Sequence, residues 1–143
     1  MKNSLSPLIT LFTPLAGLFL FNVFIDSYLF LYDIIPSLDV PMHLLGGILT
    51  AWTVRGLLCL YKTFFNIKIE PRFLLSLYII GMVALVAITW EGYEFVHDIF
   101  SPRTFSLSAG DTIGDIFVGL LGASLYCIFM GPLQVPKKRK KKK

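Results

Sequence analysis

Cysteine is nearly absent from this chain, with only Cys59 and Cys127 among 143 residues. Two cysteines rule out a disulfide framework. Both fall toward the ends of apolar segments that basic flanks assign to the reducing side of a membrane, so two buried thiols are expected rather than a bridge. Neither has the neighbouring soft ligands that a thiolate metal site would need. Charge is scarce too: Asp, Glu, Lys and Arg make up 15% of the chain. The eighteen residues from Phe73 to Trp90 contain none of them. A complete metallohydrolase or serine-triad signature is missing, as are internal repeats and, before the final basic run, any low-complexity linker.

What is there is apolar. Hydrophobic residues make up 55% of the chain and the mean hydropathy is +0.72, beyond what a soluble domain of this size needs for its core. Four segments, about 8–30, 42–61, 73–97 and 111–130, each approach or exceed the roughly twenty helical residues that cross about 30 Å of hydrocarbon. Helices are implied because an open sheet would leave backbone groups unpaired in lipid. The expectation is an all-α, polytopic membrane protein: a four-helix transmembrane bundle forming one domain over 1–135, followed by a basic tail at 136–143. Lys2 precedes the first apolar run as in a signal peptide, but that run is too long for a signal core. Asn22, Asp26 and Tyr28 also stand where small cleavage-site residues would be wanted, so it is read as a retained helix.

The charges orient the bundle. PKKRKKKK, residues 136–143, places the C-terminus in the cytoplasm by the positive-inside bias, and four spans return the N-terminus with Lys2 to the same side. The connection carrying Lys62, Lys68 and Arg72 agrees. The expected location is therefore the cell membrane, multi-pass, with both termini cytoplasmic. The tail also attracts anionic lipid, at roughly 1 kcal/mol per basic residue near the surface. Nucleic acid is not an expected partner beside four membrane spans. Of the nine acidic residues only Glu70 is assigned to the cytoplasmic side. Acids contribute little to topology, so their concentration points to a bundle with one acidic mouth.

Three short stretches build that mouth. In SLDVPMHLLGG, Asp39 and His43 are four residues apart at the start of the second helix, and Gly46 and Gly47 below them permit close helix approach or room for a ligand. In WEGYEFVH, Glu91, Glu94 and His97 recur every three residues at the end of the third helix. Carboxylates at this depth are costly unless paired, protonated or coordinated. Glu94-x-x-His97 has the spacing of di-iron carboxylate bundles, but those repeat it on two helices and this chain has it once. His97 is left outside the inner set. In GDTIGDIFVGLLG, Asp111 is placed to cap the fourth helix and Asp115 lies one turn further along the same face. Gly114, Gly119 and Gly122 offer a smooth packing surface. Asn22 and Asp26 on the first helix are candidates for the same cavity. Arg55 is expected to snorkel toward the cytoplasmic headgroups or pair with an acid.

Asp39-x-x-x-His43, then Trp90-Glu91-x-x-Glu94, then Asp111-Thr112-x-x-Asp115 with Gly119 following resembles the pattern of the small prokaryotic membrane proteins called YjdF-like, and more loosely that of VanZ-like proteins. The resemblance runs from about residue 22 to 123. It implies that Asp39, His43, Glu91, Glu94, Asp111 and Asp115 form a shared polar set, and it carries no reaction with it. Family members often have more membrane helices than four, so homo-oligomers or a membrane protein partner are within expectation.

Three functional readings use these residues. In the first, Asp39, His43, Glu91, Glu94, Asp111 and Asp115 hold Mg²⁺, Mn²⁺ or Zn²⁺, and His43 or Glu94 is the base of a metal-assisted hydrolase acting on a lipid or phosphoester. In the second, the same acids form a site for cation or proton transport. In the third, the protein is a non-catalytic membrane partner whose acids bond helix to helix.

Overall fold

The computed structural model describes residues 5–65, 72–100 and 108–130. These form α1 (Leu5–Ser27), a four-residue helix α2 (Leu31–Ile34), a 3₁₀ turn (Pro36–Leu38), α3 (Asp39–Phe65), α4 (Arg72–Phe100) and α5 (Ala109–Phe129), with no strand among the described residues. α1, α3, α4 and α5 are each long and apolar enough to cross a membrane. The protein is an all-α, four-helix transmembrane bundle. The expectations for Lys2, Lys68 and the basic tail fall outside the described residues.

The burial pattern is that of a lipid-immersed bundle. Large apolar side chains such as Leu20, Leu85, Ile88, Phe117 and Ile128 face outward, whereas Thr50, Ala51, Thr53 and Ala123 are buried. In lipid, apolar side chains gain little by leaving the surface, so helices associate where small residues let backbones approach. α3 and α5 do this most closely. A Cβ on Gly47 would overlap the Gly119 carbonyl, and one on Gly122 would overlap the carbonyl oxygen of Leu44. Gly114 has open space around it and plays no such part. Leu75, Ile79 and Val83 of α4 complete the core against Ala51, Ala123 and Cys127. Cys127 is buried, Cys59 is half-buried, and neither forms a disulfide.

α1 lies along α3. Thr53 Oγ1 lies 3.2 Å from the Leu11 carbonyl oxygen and 2.8 Å from that of Leu49 in its own helix, and the Leu11 side chain fills the space over Gly56. α1 stops at Ser27, short of the expected Phe30, because Phe30 adopts the left-handed conformation (φ 51°) and turns the chain into α2. At the opposite end of the bundle Arg72 Nη2 donates to the carbonyls of Met130 (2.6 Å) and Ile128 (3.2 Å). One guanidinium thus satisfies the open end of α5 and ties it to the start of α4. Arg55 does not simply run out to the headgroups: its Nη1 donates to the Tyr126 hydroxyl at 3.4 Å, a contact between α3 and α5 inside the bundle.

Candidate functional site

The end of α1, the start of α3, the end of α4 and the start of α5 lie at one end of the bundle, where the acidic side chains collect. Asp39 opens α3 and His43 follows one turn later, which brings His43 Nε2 to 3.1 Å from Asp39 Oδ1. The other ring nitrogen faces α4, with Nδ1 3.9 Å from Glu91 Oε1, too far for a hydrogen bond. Glu91 is 6% exposed, and among the described residues its Oε1 has no hydrogen-bond partner. Thr112 of α5 bonds the same carboxylate. Leaving one buried acceptor unsatisfied costs roughly 1–3 kcal/mol.

Glu94 lies one helical step beyond Glu91 and is hydrogen-bonded by Trp90, whose indole N–H is its donor. Asp115 is 7% exposed, one turn into α5 from Asp111. Donor atoms of Asp39, His43 and Asp115 lie within 4.8 Å of one another, as do those of His43, Glu91 and Glu94. Three helices therefore gather four carboxylates around a single imidazole. Either set has the hard oxygen and imidazole donors that suit Mg²⁺, Mn²⁺ or Zn²⁺.

The family model described as "Predicted membrane protein (DUF2238)" matches residues 2–134. The chain belongs to the DUF2238 family. Neither the curated proteins nor the solved structures contain a match to it. The family description agrees with the YjdF-like likeness in making the DUF2238 protein a membrane protein over nearly its whole length.

Not every expected residue joins the DUF2238 cluster. Asp111 is exposed at the rim, in the first turn of α5. It is not the cap: Ser108 is, its hydroxyl accepting from the Asp111 backbone N–H at 3.1 Å. The helix begins earlier than expected because a serine three residues upstream already supplies the oxygen that a free amide needs. His97 lies within α4 rather than in a loop, exposed, with its ring 6.0 Å from that of Tyr93. Asn22 does reach the cavity described below, and Asp26 acts electrostatically on Tyr32.

The sequence does not mark Tyr32, and it places Thr112 beside Asp115 without showing its bond to Glu91. Tyr32 sits in α2, and its hydroxyl donates to Asn22 Oδ1, folding the connection back onto α1. Burial raises its pKa above the ordinary tyrosine value, and Asp39, Glu94 and Asp26 push it in the same direction. It is therefore a proton-bearing donor at the acidic mouth. A tyrosine in an irregular connection has no periodicity to mark it; the only signal was its place between acidic positions.

Beneath the cluster lies a cavity of about 380 Å³. Phe12, Leu15 and Phe19 of α1, Met42 and Gly46 of α3, and Val86 of α4 are among its walls, and His43 belongs to its lining. Asn22, Thr50, His43 and the Trp90 indole N–H are the polar features of that lining.

Proposed function

We propose that this protein is a metal-assisted hydrolase embedded in the cell membrane and acting on the ester or phosphoester linkage of a lipid. The single observation that carries the reading is the buried, unpartnered Glu91 Oε1 facing His43 Nδ1 at the head of an apolar cavity. His43, Glu91 and Glu94, with Asp115 close by, would hold a divalent ion, which would satisfy that oxygen and offset the repulsion between neighbouring carboxylates. Once bound, such an ion lowers the pKa of water and polarises a phosphoryl or carbonyl oxygen.

The chain's own residues divide the remaining work. Asp39 accepts from His43 Nε2 and so fixes the tautomer and the direction in which Nδ1 points. Glu94, steadied by the Trp90 indole, would offer one carboxylate oxygen to the ion and take a proton from the attacking water on the other. Apolar walls below His43 exclude bulk water from the linkage and hold the rest of the substrate. A cation path fits less well, because the cavity turns apolar within two turns of His43 and Arg55 lies further down α3. Lys62, Lys68 and Arg72, at and between the ends of α3 and α4, together with the tail orient the acidic end away from the cytoplasm, so the reaction takes place at the outer leaflet.

Thermal unfolding in detergent, with Mg²⁺, Mn²⁺, Zn²⁺ or chelator, tests the centre. One of these ions is expected to raise the melting temperature of the wild type, and Glu91→Gln and Asp115→Asn to abolish the rise. If no ion shifts the wild type while both substitutions stabilise it, the acids form a strained cluster without metal and proton or cation transport replaces hydrolysis. Release of headgroup or fatty acid from phospholipid vesicles containing the reconstituted protein then tests the reaction itself.

A further inference from the structure

The cavity below His43 is cut into the side of the bundle. α1 supplies one wall from Phe12 to Asn22, and α3 and α4 supply the others. Among the described residues α1 packs on α3 and on α2. It meets α4 through Phe19, whose ring stands edge-on to Trp90 at a centroid distance of 5.6 Å and tilted to Tyr93 at 6.4 Å. That aromatic contact lies level with the polar cluster. Farther toward the middle of the bundle, Phe12 and Leu15 on one side and Val83 and Val86 on the other border the same space.

We propose that this cavity is the binding site for one acyl chain of a membrane phospholipid, which enters from the bilayer between α1 and α4 below the Phe19–Trp90 contact and presents its linkage to His43. The proposal rests on the hydrolase reading of the cluster and names the part of the substrate that the bundle grips.

Three observations carry it. The first is the medium: the outer faces of α1 and α4 expose Ile9, Phe12, Leu20, Leu85 and Ile88, so hydrocarbon chains are the solvent in contact with the seam. The second is length. Ten helical residues from Phe12 to Asn22 span about 15 Å, and half of a hydrocarbon core of about 30 Å is the same depth. One chain of one leaflet fits the cavity from His43 to the bundle's middle. The third is polarity. The walls away from His43 and Asn22 offer a headgroup little to bond, while Gly46 and Ala87 leave room for methylene groups. A Cβ on Gly46 would lie 4.0 Å from the nearest Leu18 side-chain atom, so the glycine opens space that a larger side chain would take up. The polar end of the lipid then lies beside Asn22, His43 and the Trp90 indole.

Val83 and Thr50 make the test specific. Both line the cavity yet are only 2% and 4% exposed, so lipid running along the outside of the bundle does not reach them. The full chain is reconstituted into phosphatidylglycerol and phosphatidylcholine vesicles containing a phospholipid with a diazirine near the end of one acyl chain. It is then irradiated with chelator present, and the labelled residues are identified by mass spectrometry. Label is expected on Val83 and Thr50 as well as on outward residues such as Leu20 and Leu85. Gly46→Phe is expected to abolish labelling of Val83 and Thr50 and leave Leu20 and Leu85 labelled. Ala87→Leu serves the same purpose if Gly46→Phe does not fold. Label confined to the outward residues in the wild type overturns the proposal, as does inner labelling that a folded, cavity-filled variant retains. The chelator separates this result from the metal reading: a labelled cavity without any metal-induced stabilisation sinks the hydrolase and keeps the chain site.

Discussion

Gly47 of α3 and Gly119 of α5 meet backbone to backbone one helical turn below His43 and Asp115. A Cβ on Gly119 would lie 3.7 Å from the His43 carbonyl oxygen, so this crossing is continuous with the cluster above it. This close crossing of α3 and α5 thus sets the gap across which an imidazole and a buried carboxylate face each other.

Widening that contact should cost both stability and site geometry. Gly47→Ala forces the Gly119 carbonyl aside and is expected to destabilise by about 1–3 kcal/mol. It should also weaken Mn²⁺ binding, because His43 and Asp115 move apart together. Gly81→Ala is the control: nothing lies within 4 Å of the added methyl, and the gain in helix propensity is about 0.5–1 kcal/mol. Unfolding in detergent and a metal titration of both variants check the pair of outcomes.

Asp39 holds His43 from its own helix and stands at the edge of the cluster. Asp39→Ala is expected to reduce metal affinity about 10- to 100-fold while leaving the melting temperature of the metal-free protein nearly unchanged. Calorimetric titration of the wild type and the variant measures the first effect. A large fall in metal-free stability instead would mark Asp39 as a structural bond.

Tyr32 gives the mouth a dependence on alkaline pH. Its pKa in the folded chain is raised above the unfolded value, so its contribution to stability is fully present below about pH 10. That contribution is lost as pH rises through the folded value, since the unfolded chain releases the proton first. Tyr32→Phe should remove this part of the alkaline destabilisation and, near neutral pH, cost about 1 kcal/mol through the lost bond to Asn22. Unfolding curves from pH 8 to 11 for the two proteins show both effects.

The charged half of the site was legible because the sequence made it conspicuous. Glu91 follows eighteen uncharged residues, and Asp39, His43 and Asp115 stand at turn-length intervals from other polar groups, so helical periodicity alone put them at one end. Gly47, Gly119 and Gly122 were legible as a packing surface for the same reason, but which glycine meets which backbone depends on the crossing of two helices. The bonds of Tyr32 and Thr112 escaped because each runs across a tertiary contact, to Asn22 and to Glu91, and no local spacing records that. The end of α1 was misplaced by the left-handed Phe30, a conformation that an aromatic residue does not advertise. Asp111 stands where either a cap or a site residue is expected, but the Ser108 hydroxyl three residues before it caps α5, and local spacing does not distinguish the two oxygens.

The orientation rests on Lys62, Lys68 and Arg72 and on the basic tail, and has its own test. In a Cys59→Ser, Cys127→Ser background, Ser37→Cys is expected to react with an impermeant thiol reagent on intact cells, and Lys140→Cys only after permeabilisation. The opposite pattern would turn the acidic mouth toward the cytoplasm.

α1 is fastened to α3 near Leu11, through Thr53 and the space over Gly56, to α4 at Phe19, against Trp90, and to α2 at Asn22, through Tyr32. Between these points lie Pro14, whose missing amide removes one rung of the helix, and most of the α1 wall of the cavity. The charged cluster belongs wholly to α3, α4 and α5. On the proposed reading the fold therefore separates chemistry from fit: substitutions along the middle of α1 would change the shape and width of the cavity, while the three helices that carry the acids and the imidazole stay as they are.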